Sequence, residues 1–385
     1  MRVLILHNYY QHPGGEDFVF LQEVNSLKKH IEVETLTFKN QKSLEGAVQN
    51  LFLPFNIFAW KKIKRKIENF RPDVVHFHNI HYAIGPWFIR ELYKKNIKTV
   101  MTIHNYRLIC PSAILFHNGD IYEKSLNNKF PWTSIQDKIV DNSYLKTFWY
   151  SLNNFIHRKI GTWNQVDRYL ALTEFAKETF IKANFPINHQ KIIVKPNYIS
   201  HSDHTFDLGH KRNENFLFIG RLTEEKGIKV LINTFKNTDY RLRIAGDGPL
   251  KDWVKEAQLH YSNIEYLGSL NKNEIQAELK SCKALIFPST WYEGMPMTIL
   301  ESFQTGTPVI ASRLGAMQSM IHNGINGYLF EKGNEEDLKN KIQDLLNLKE
   351  IDYISLQNNT YQSFLNTYTE DKNIKLLLSI YKSLI

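Results

Sequence analysis

From one end of the chain to the other, short apolar runs rich in β-branched and aromatic residues alternate with longer stretches whose apolar residues recur at helical spacing. This is the pattern of βα units around a parallel sheet, whose strands are buried on both faces and read as continuous apolar runs. The runs 3–7, 33–38, 74–78, 99–104, 169–173 and 192–195 predict six strands in the first half. A polar segment, 201–215, lacks apolar periodicity and reads as a linker. The alternation then restarts, predicting strands at 216–220, 242–246, 264–267, 284–288, 308–312 and 327–330, then two or three helices from about Glu335 to Ile385. The expected organisation is α/β: a Rossmann-like domain over 1–200, the linker over 201–215, a second Rossmann-like domain over 216–360, and C-terminal helices over 361–385 that pack back toward the first domain. Such sheets bind ligands beyond the carboxyl ends of their strands, so two doubly wound sheets facing a cleft predict a site between them.

Composition narrows the class. The 385 residues are 43% hydrophobic and 23% charged, which excludes wholesale disorder and a collagen-like or coiled-coil chain. Cys110 and Cys282 stand far apart and outside any C-x-x-C pattern, so neither a disulfide framework nor a cysteine zinc site is expected, and a reducing, cytoplasmic compartment fits. No run reaches the roughly 18 to 20 apolar residues of a membrane span, and His7 and Asn8 end the opening apolar run too early for a signal peptide.

The net charge of +9 is unevenly placed: residues 1–200 carry +11 and residues 201–385 carry −2. A basic half suits nucleic acid, an anionic membrane surface or an acidic small molecule, and no nucleic-acid module accompanies the charge. Two stretches favour the membrane. In 51–70, Phe52, Phe55, Phe58 and Trp60 precede Lys61, Lys62, Lys64, Arg65 and Lys66, and in 143–163, Phe148, Trp149 and Tyr150 precede Arg158 and Lys159. Aromatics followed by cations suit an anionic bilayer interface, which would make the protein peripheral at the inner face of the cytoplasmic membrane. Two amphipathic helices with solvated basic faces are the alternative.

The densest chemical signal is STWYEGMPMTILESFQTGTPVIAS, residues 289–312. Pro296 suits the first turn of a helix, which would leave the amides of Met297 and Thr298 pointing out of the helix start, a ready site for phosphate. Glu293 and Glu301 then flank that site, Glu301 about 7.5 Å along the axis from Pro296 at 1.5 Å per residue. One carboxylate suits a sugar on one side of a diphosphate and the other suits the ribose. A solvated loop acid and helix acid, or a glycosidase pair, are the competing readings. The second signal is GRLTEEKG, in which Arg221 and Lys226 follow the first strand of the second domain, positioned to take up the charge of a departing nucleoside diphosphate. In RIAGDGPL, Asp247 is free to cap the next helix. Gly14 and Gly15 lie between the first strand and a helix expected from near Glu16, where their backbone can approach a phosphate or simply make a tight turn. His104 follows the strand TVMTI, and His76, His78 and His81 raise a zinc reading that no nearby carboxylate in sequence supports. No D-x-D sequence occurs, so no metal–diphosphate clamp of that kind is expected.

With these residues the chain resembles the retaining glycosyltransferases of family 4, capsule- and lipopolysaccharide-type group 1 enzymes of GT-B architecture. In that family an E-x7-E motif holds the donor, and Glu293 and Glu301 stand at its ends in EGMPMTILE. The resemblance implies that Glu293 and Gly294 lie at the transferred sugar, that Glu301 meets the ribose, and that Arg221 and Lys226 hold the diphosphate. It also implies that Gly14 and Gly15 form the donor-side glycine loop and that His104 is the first-domain catalytic histidine. Asn105 stands where many members have Asp, and Met295 where many have Phe. The function implied is metal-independent, retaining transfer from a nucleotide-diphosphate sugar to a hydroxyl of a glycan or lipid-linked glycan, with no cofactor. A silent nucleotide-sugar or glycan-binding protein, and an epimerase or hydrolase on the same scaffold, are the rivals.

Overall fold

The computed structural model describes residues 1–10, 14–41, 43–126, 128–200 and 211–385, so most of the expected linker, 201–210, lies outside the described residues. The strands are β1 (Arg2–Tyr9), β2 (Glu32–Lys39), β3 (Val74–Phe77), β4 (Lys98–Ile103), β5 (Phe116–His117), β6 (Asp120–Ile121), β7 (Arg168–Ala171), β8 (Ile192–Val194), β9 (Asn215–Ile219), β10 (Arg241–Ala245), β11 (Ile264–Gly268), β12 (Ala284–Phe287), β13 (Val309–Ser312) and β14 (Gly327–Phe330). All twelve expected strands are present, with ends moved by one or two residues. The short antiparallel pair β5–β6 was not expected.

Two units result. The first holds Met1–Leu115, Tyr122–Asn197 and Glu370–Ile385, and the second holds Phe116–Ile121 and Tyr198–Thr369. The first contains a parallel sheet in the order β2-β1-β3-β4-β7-β8. Its strand β3 is buried at every residue, whereas the edge strand β2 has only exposed and half-buried positions. The boundary expected at 360/361 falls inside one helix, Glu350–Thr367, and the following helix, Glu370–Lys382, belongs to the first unit. Tyr381 on that helix is fully buried and meets His76 at 2.6 Å.

The second unit is built on β11-β10-β9-β12-β13-β14, also parallel. Counted within the sheet this is 3-2-1-4-5-6, the strand order of the dinucleotide-binding fold. The winding reverses between β9 and β12, which pair through Phe216 with Ala284 and Leu217 with Leu285. Loops leaving the carboxyl ends of these two strands therefore diverge to opposite faces and leave a crevice between them. Both strands are fully buried, in a core that includes Phe216, Phe218, Leu231, Ile244, Ile286 and Phe330. A sheet anchored in this way gives its terminal loops a rigid base.

Candidate functional site

The loop after β9 carries Arg221 and Lys226, and the loop after β12 carries Glu293, so the winding reversal brings the two sequence signals together. Contacts to one carbonyl fix the junction: Thr290 N donates to Glu225 O at 2.8 Å, and Thr290 Oγ1 donates to the same oxygen at 3.2 Å. Gly227 sits at the tightest point. Its φ is +74°, and a Cβ there would lie 1.9 Å from the Pro288 carbonyl oxygen, so only glycine fits. Gly246 has the same role one loop over, with φ +142° and the Gly220 oxygen 1.8 Å from where a Cβ would stand.

This junction places Lys226 Nζ 2.7 Å from Glu293 Oε1. Ser289 Oγ and Trp291 Nε1 donate to the same oxygen, each at 2.7 Å. The ammonium also lies over the Trp291 ring at 5.5 Å and the Phe287 ring at 5.7 Å. Glu293 is thus no solvated loop acid. It is 7% exposed and holds its loop through three donors that the sequence did not connect to it. Arg221 stands exposed just past β9.

The helix after this loop runs Met297–Gln304, and Pro296 is its N-cap with ψ 110°, not its first helical residue as the sequence suggested. Its extended ψ lets the chain leave the Glu293–Gly294 turn before winding begins. The amides of Met297 and Thr298 are the first two of the helix and have no acceptor within it. Met295 is buried and fills the turn beneath. Glu301, half-buried, has its carboxyl pushed up to about 7 by burial, against the pull of Lys272. Asp247 does not cap the following helix, whose N-cap is Leu250; its Oδ1 accepts from the Gly248 amide at 2.8 Å.

In the first unit the helix begins at Gly15, one residue earlier than expected. Neither Gly14 nor Gly15 has positive φ, and a Cβ would meet nothing within 4 Å at either. Their surroundings are open, although the Gly14 amide already donates to Asp17 Oδ2 at 2.9 Å. Glu16 follows, with its carboxyl pushed up to about 7 chiefly by burial. It lines a small cavity together with His78, His81, His104 and Asn105. Burial holds His104 well below the ordinary histidine value.

The carboxylate that the sequence could not supply to His76 and His78 is Glu23, from the helix Gly15–Leu27. Among the described residues these three have ligand atoms within 4.8 Å of one another. The other oxygen of Glu23 accepts from Lys195 at 2.7 Å, so an ammonium already neutralises this carboxylate. Two weak signals in the sequence point to this cluster: a glutamate among the apolar positions of a helix, and a lysine closing the apolar run IIV. Cys110 and Cys282 are both buried free thiols.

The two aromatic–basic stretches are the helices Ile57–Phe70 and Tyr144–Lys159, capped by Asn56 and Ser143 respectively. The second packs on the segment that leads into the first: Trp149 Nε1 donates to Asn50 O at 2.8 Å, and His157 Nε2 lies 2.8 Å from Pro54 O. Ile63 and Ile67 face inward, while Lys61, Lys62, Lys64 and Arg65 are exposed. No helix among the described residues is long and apolar enough to cross a membrane.

Residues 19–203 match the family described as Glycosyltransferase Family 4, and residues 202–363 match glycosyl transferases group 1. The chain is a group 1 glycosyltransferase of GT-B architecture. An uncharacterized glycosyltransferase of Methanocaldococcus jannaschii is 27% identical over 374 residues, covering 91% of this transferase and 90% of the relative. The O-antigen chain mannosyltransferase C of Escherichia coli is 26% identical over 174 residues, 44% of this transferase and 47% of that protein. In fold, the transferase resembles Anabaena HepE in complex with UDP (TM-score 0.68, 17% identity, all of both chains). It also resembles sucrose-phosphate synthase from Thermosynechococcus elongatus (TM-score 0.69, 15% identity, 100% and 99% of the two chains).

Proposed function

We propose that this glycosyltransferase moves a hexose, with retention and without a metal, from a nucleoside-diphosphate sugar to a hydroxyl of a glycan or lipid-linked glycan. The observation that carries the reading is the Lys226–Glu293 pair beside the helix start at Met297, at the crevice between β9 and β12. In this reading Arg221, Lys226 and the amides of Met297 and Thr298 meet the diphosphate. Their fixed positive charge stabilises the leaving group as the bond to the sugar breaks. Glu293 Oε1 is occupied by three donors, so Oε2 accepts from sugar hydroxyls, beside Gly294. Glu301 accepts from the ribose diol. Gly14, Gly15 and His104 serve the sugar from the first unit, and the leaving diphosphate helps to take the acceptor's proton.

The acceptor is lipid-linked in this reading because the first unit carries an apolar surface beside its cations. Leu51, Phe52, Phe55, Ile57 and Phe58 are 64, 39, 44, 53 and 60% exposed, directly ahead of the Lys61–Lys66 cluster. Such a surface fits the headgroup region of an anionic bilayer. The test incubates purified protein with UDP- and GDP-hexoses and lipid-linked acceptors, and reads the anomeric configuration of the product by NMR. Nucleotide binding without transfer to any acceptor would favour a silent binding protein, and an inverted product would end the retaining assignment.

A further inference from the structure

A chain of buried polar contacts in the first unit ends at His104. Lys195 Nζ donates to Glu23 Oε2 at 2.7 Å, and Glu23 Oε1 lies 3.1 Å from His78 Nε2. His78 Nδ1 in turn lies 2.9 Å from His104 Nε2, with the two rings stacked. Lys195, Glu23 and His78 are each no more than 2% exposed. His76 flanks the chain, its Nδ1 3.3 Å from Glu23 Oε1 and 2.6 Å from the Tyr381 hydroxyl, its Nε2 2.8 Å from Thr102 Oγ1.

Donor and acceptor rules set the protons along this chain. Burial alone would raise Glu23, but the Lys195 ammonium and His78 hold its carboxyl well below the usual range, so it only accepts. His78 must therefore carry its proton on Nε2. Glu23 is already matched by the Lys195 ammonium and Asp17 is held by His7 Nε2 at 2.7 Å, so no unpaired carboxylate faces His78, and a neutral His78 has its Nδ1 bare. His104 Nε2 must then be the donor. A neutral imidazole has one proton, which leaves Nδ1 of His104 as a lone pair for a ligand.

We propose that Glu23, held by Lys195, is a positioning residue that acts through His78 to fix His104 in the tautomer protonated at Nε2, with Nδ1 offered as acceptor to a substrate hydroxyl. The effect on transfer rests on the role proposed for His104; the tautomer itself does not. Lys195 also dictates what happens in Glu23→Gln. Because it can only donate, the amide oxygen turns to Lys195 and the amide nitrogen to His78. His78 then accepts at Nε2 and donates from Nδ1, His104 accepts at Nε2, and the His104 proton moves to Nδ1. The ring is the same and in the same place, but offers a donor where a substrate hydroxyl needs an acceptor.

The experiment records two-bond 1H–15N correlations of histidine side chains in the full-length, 15N-histidine-labelled protein, with His104 assigned from His104→Asn. The wild type is expected to show His104 protonated at Nε2 and bare at Nδ1. Glu23→Gln is expected to show the reverse, with kcat reduced roughly 10- to 10²-fold and KM little changed. A wild-type His104 protonated at Nδ1 overturns the proposal even if no variant folds. A folded Glu23→Gln protein with an unchanged ring pattern overturns it as well, whatever its activity. The spectra need no turnover, so failure of the proposed transfer reaction would leave them equally informative.

Discussion

Lys226 and Glu293, 67 residues apart in the chain, are joined by a 2.7 Å ion pair that closes over the carboxyl ends of two adjacent parallel strands. A cation that would face a diphosphate and an acid that would face a sugar are thus held as one unit before any ligand arrives. Preorganisation of this kind reduces the rearrangement needed during reaction.

Replacing Glu293 with Ala is expected to lower turnover about 10²- to 10³-fold. It also strands the donors of Lys226, Ser289 and Trp291, so the unfolding free energy should fall by about 1–3 kcal/mol. Steady-state kinetics and urea denaturation on one preparation check both. Near-normal turnover would remove Glu293 from the reaction.

Arg221→Ala and Lys226→Ala should each weaken nucleoside-diphosphate affinity in calorimetry and reduce turnover, and Mg²⁺ should restore neither. The wild type should work in EDTA. Activity that disappears with EDTA and returns with a divalent ion contradicts the metal-free reading.

Glu301 gives a pH dependence of known sign. Burial raises its carboxyl from 4.5 to about 7, so the folded protein binds this proton more tightly than the unfolded chain does. The stabilisation is complete below about pH 4.5 and is lost as pH rises through about 7. Relative to Glu301→Gln, the melting temperature of the wild type should therefore decline over this interval. Its relative affinity for nucleoside diphosphate should rise, because in the proposed role the carboxylate would accept from both ribose hydroxyls. Parallel curves for the two proteins would refute the assignment.

Gly227 and Gly268 share φ +74°, but a Cβ at Gly227 meets the Pro288 carbonyl at 1.9 Å and one at Gly268 meets nothing within 4 Å. Gly268→Ala should cost only the backbone strain of about 1–3 kcal/mol. Gly227→Ala should cost more, and should also impair nucleotide binding by pushing the two site loops apart. Equal losses of stability, with binding intact in both, would show that the loop contact does not shape the site.

The basic helix is tested with vesicles. At about 1 kcal/mol per cation near an anionic surface, the five cations 61, 62, 64, 65 and 66 should give salt-sensitive sedimentation with anionic but not neutral vesicles. Neutralising them together should abolish it. Equal sedimentation with both vesicle types, or with neither, would end this reading and favour a soluble acceptor.

The sheets were readable in the sequence because strands buried on both faces have no polar positions to blur them: ALIF and VIAS are buried at every residue. GRLTEEKG and EGMPMTILE were readable because Gly, Pro and charge together punctuate a loop. Their mutual contact was not, since it depends on the strand order 3-2-1-4-5-6, which no local pattern encodes. The same limit hid Glu23 and Lys195 from His78, at separations of 55 and 172 residues for the pairs Glu23–His78 and Glu23–Lys195. Pro296 was misplaced by one position because proline's fixed φ suits an N-cap as well as a first helical turn; only ψ separates them.

The helix Glu370–Lys382 gives the first unit a seam at the far end of the chain, where Tyr381 seals against His76. On the ribosome, the whole stretch 198–369 emerges before that seam can form. At roughly 5–20 residues per second, the first unit waits on the order of ten seconds or more with His76 uncovered while the second is made. The half of the protein synthesised first is therefore the half completed last, and a nascent chain stalled short of Glu370 would hold a second unit ready to fold beside a first one still open.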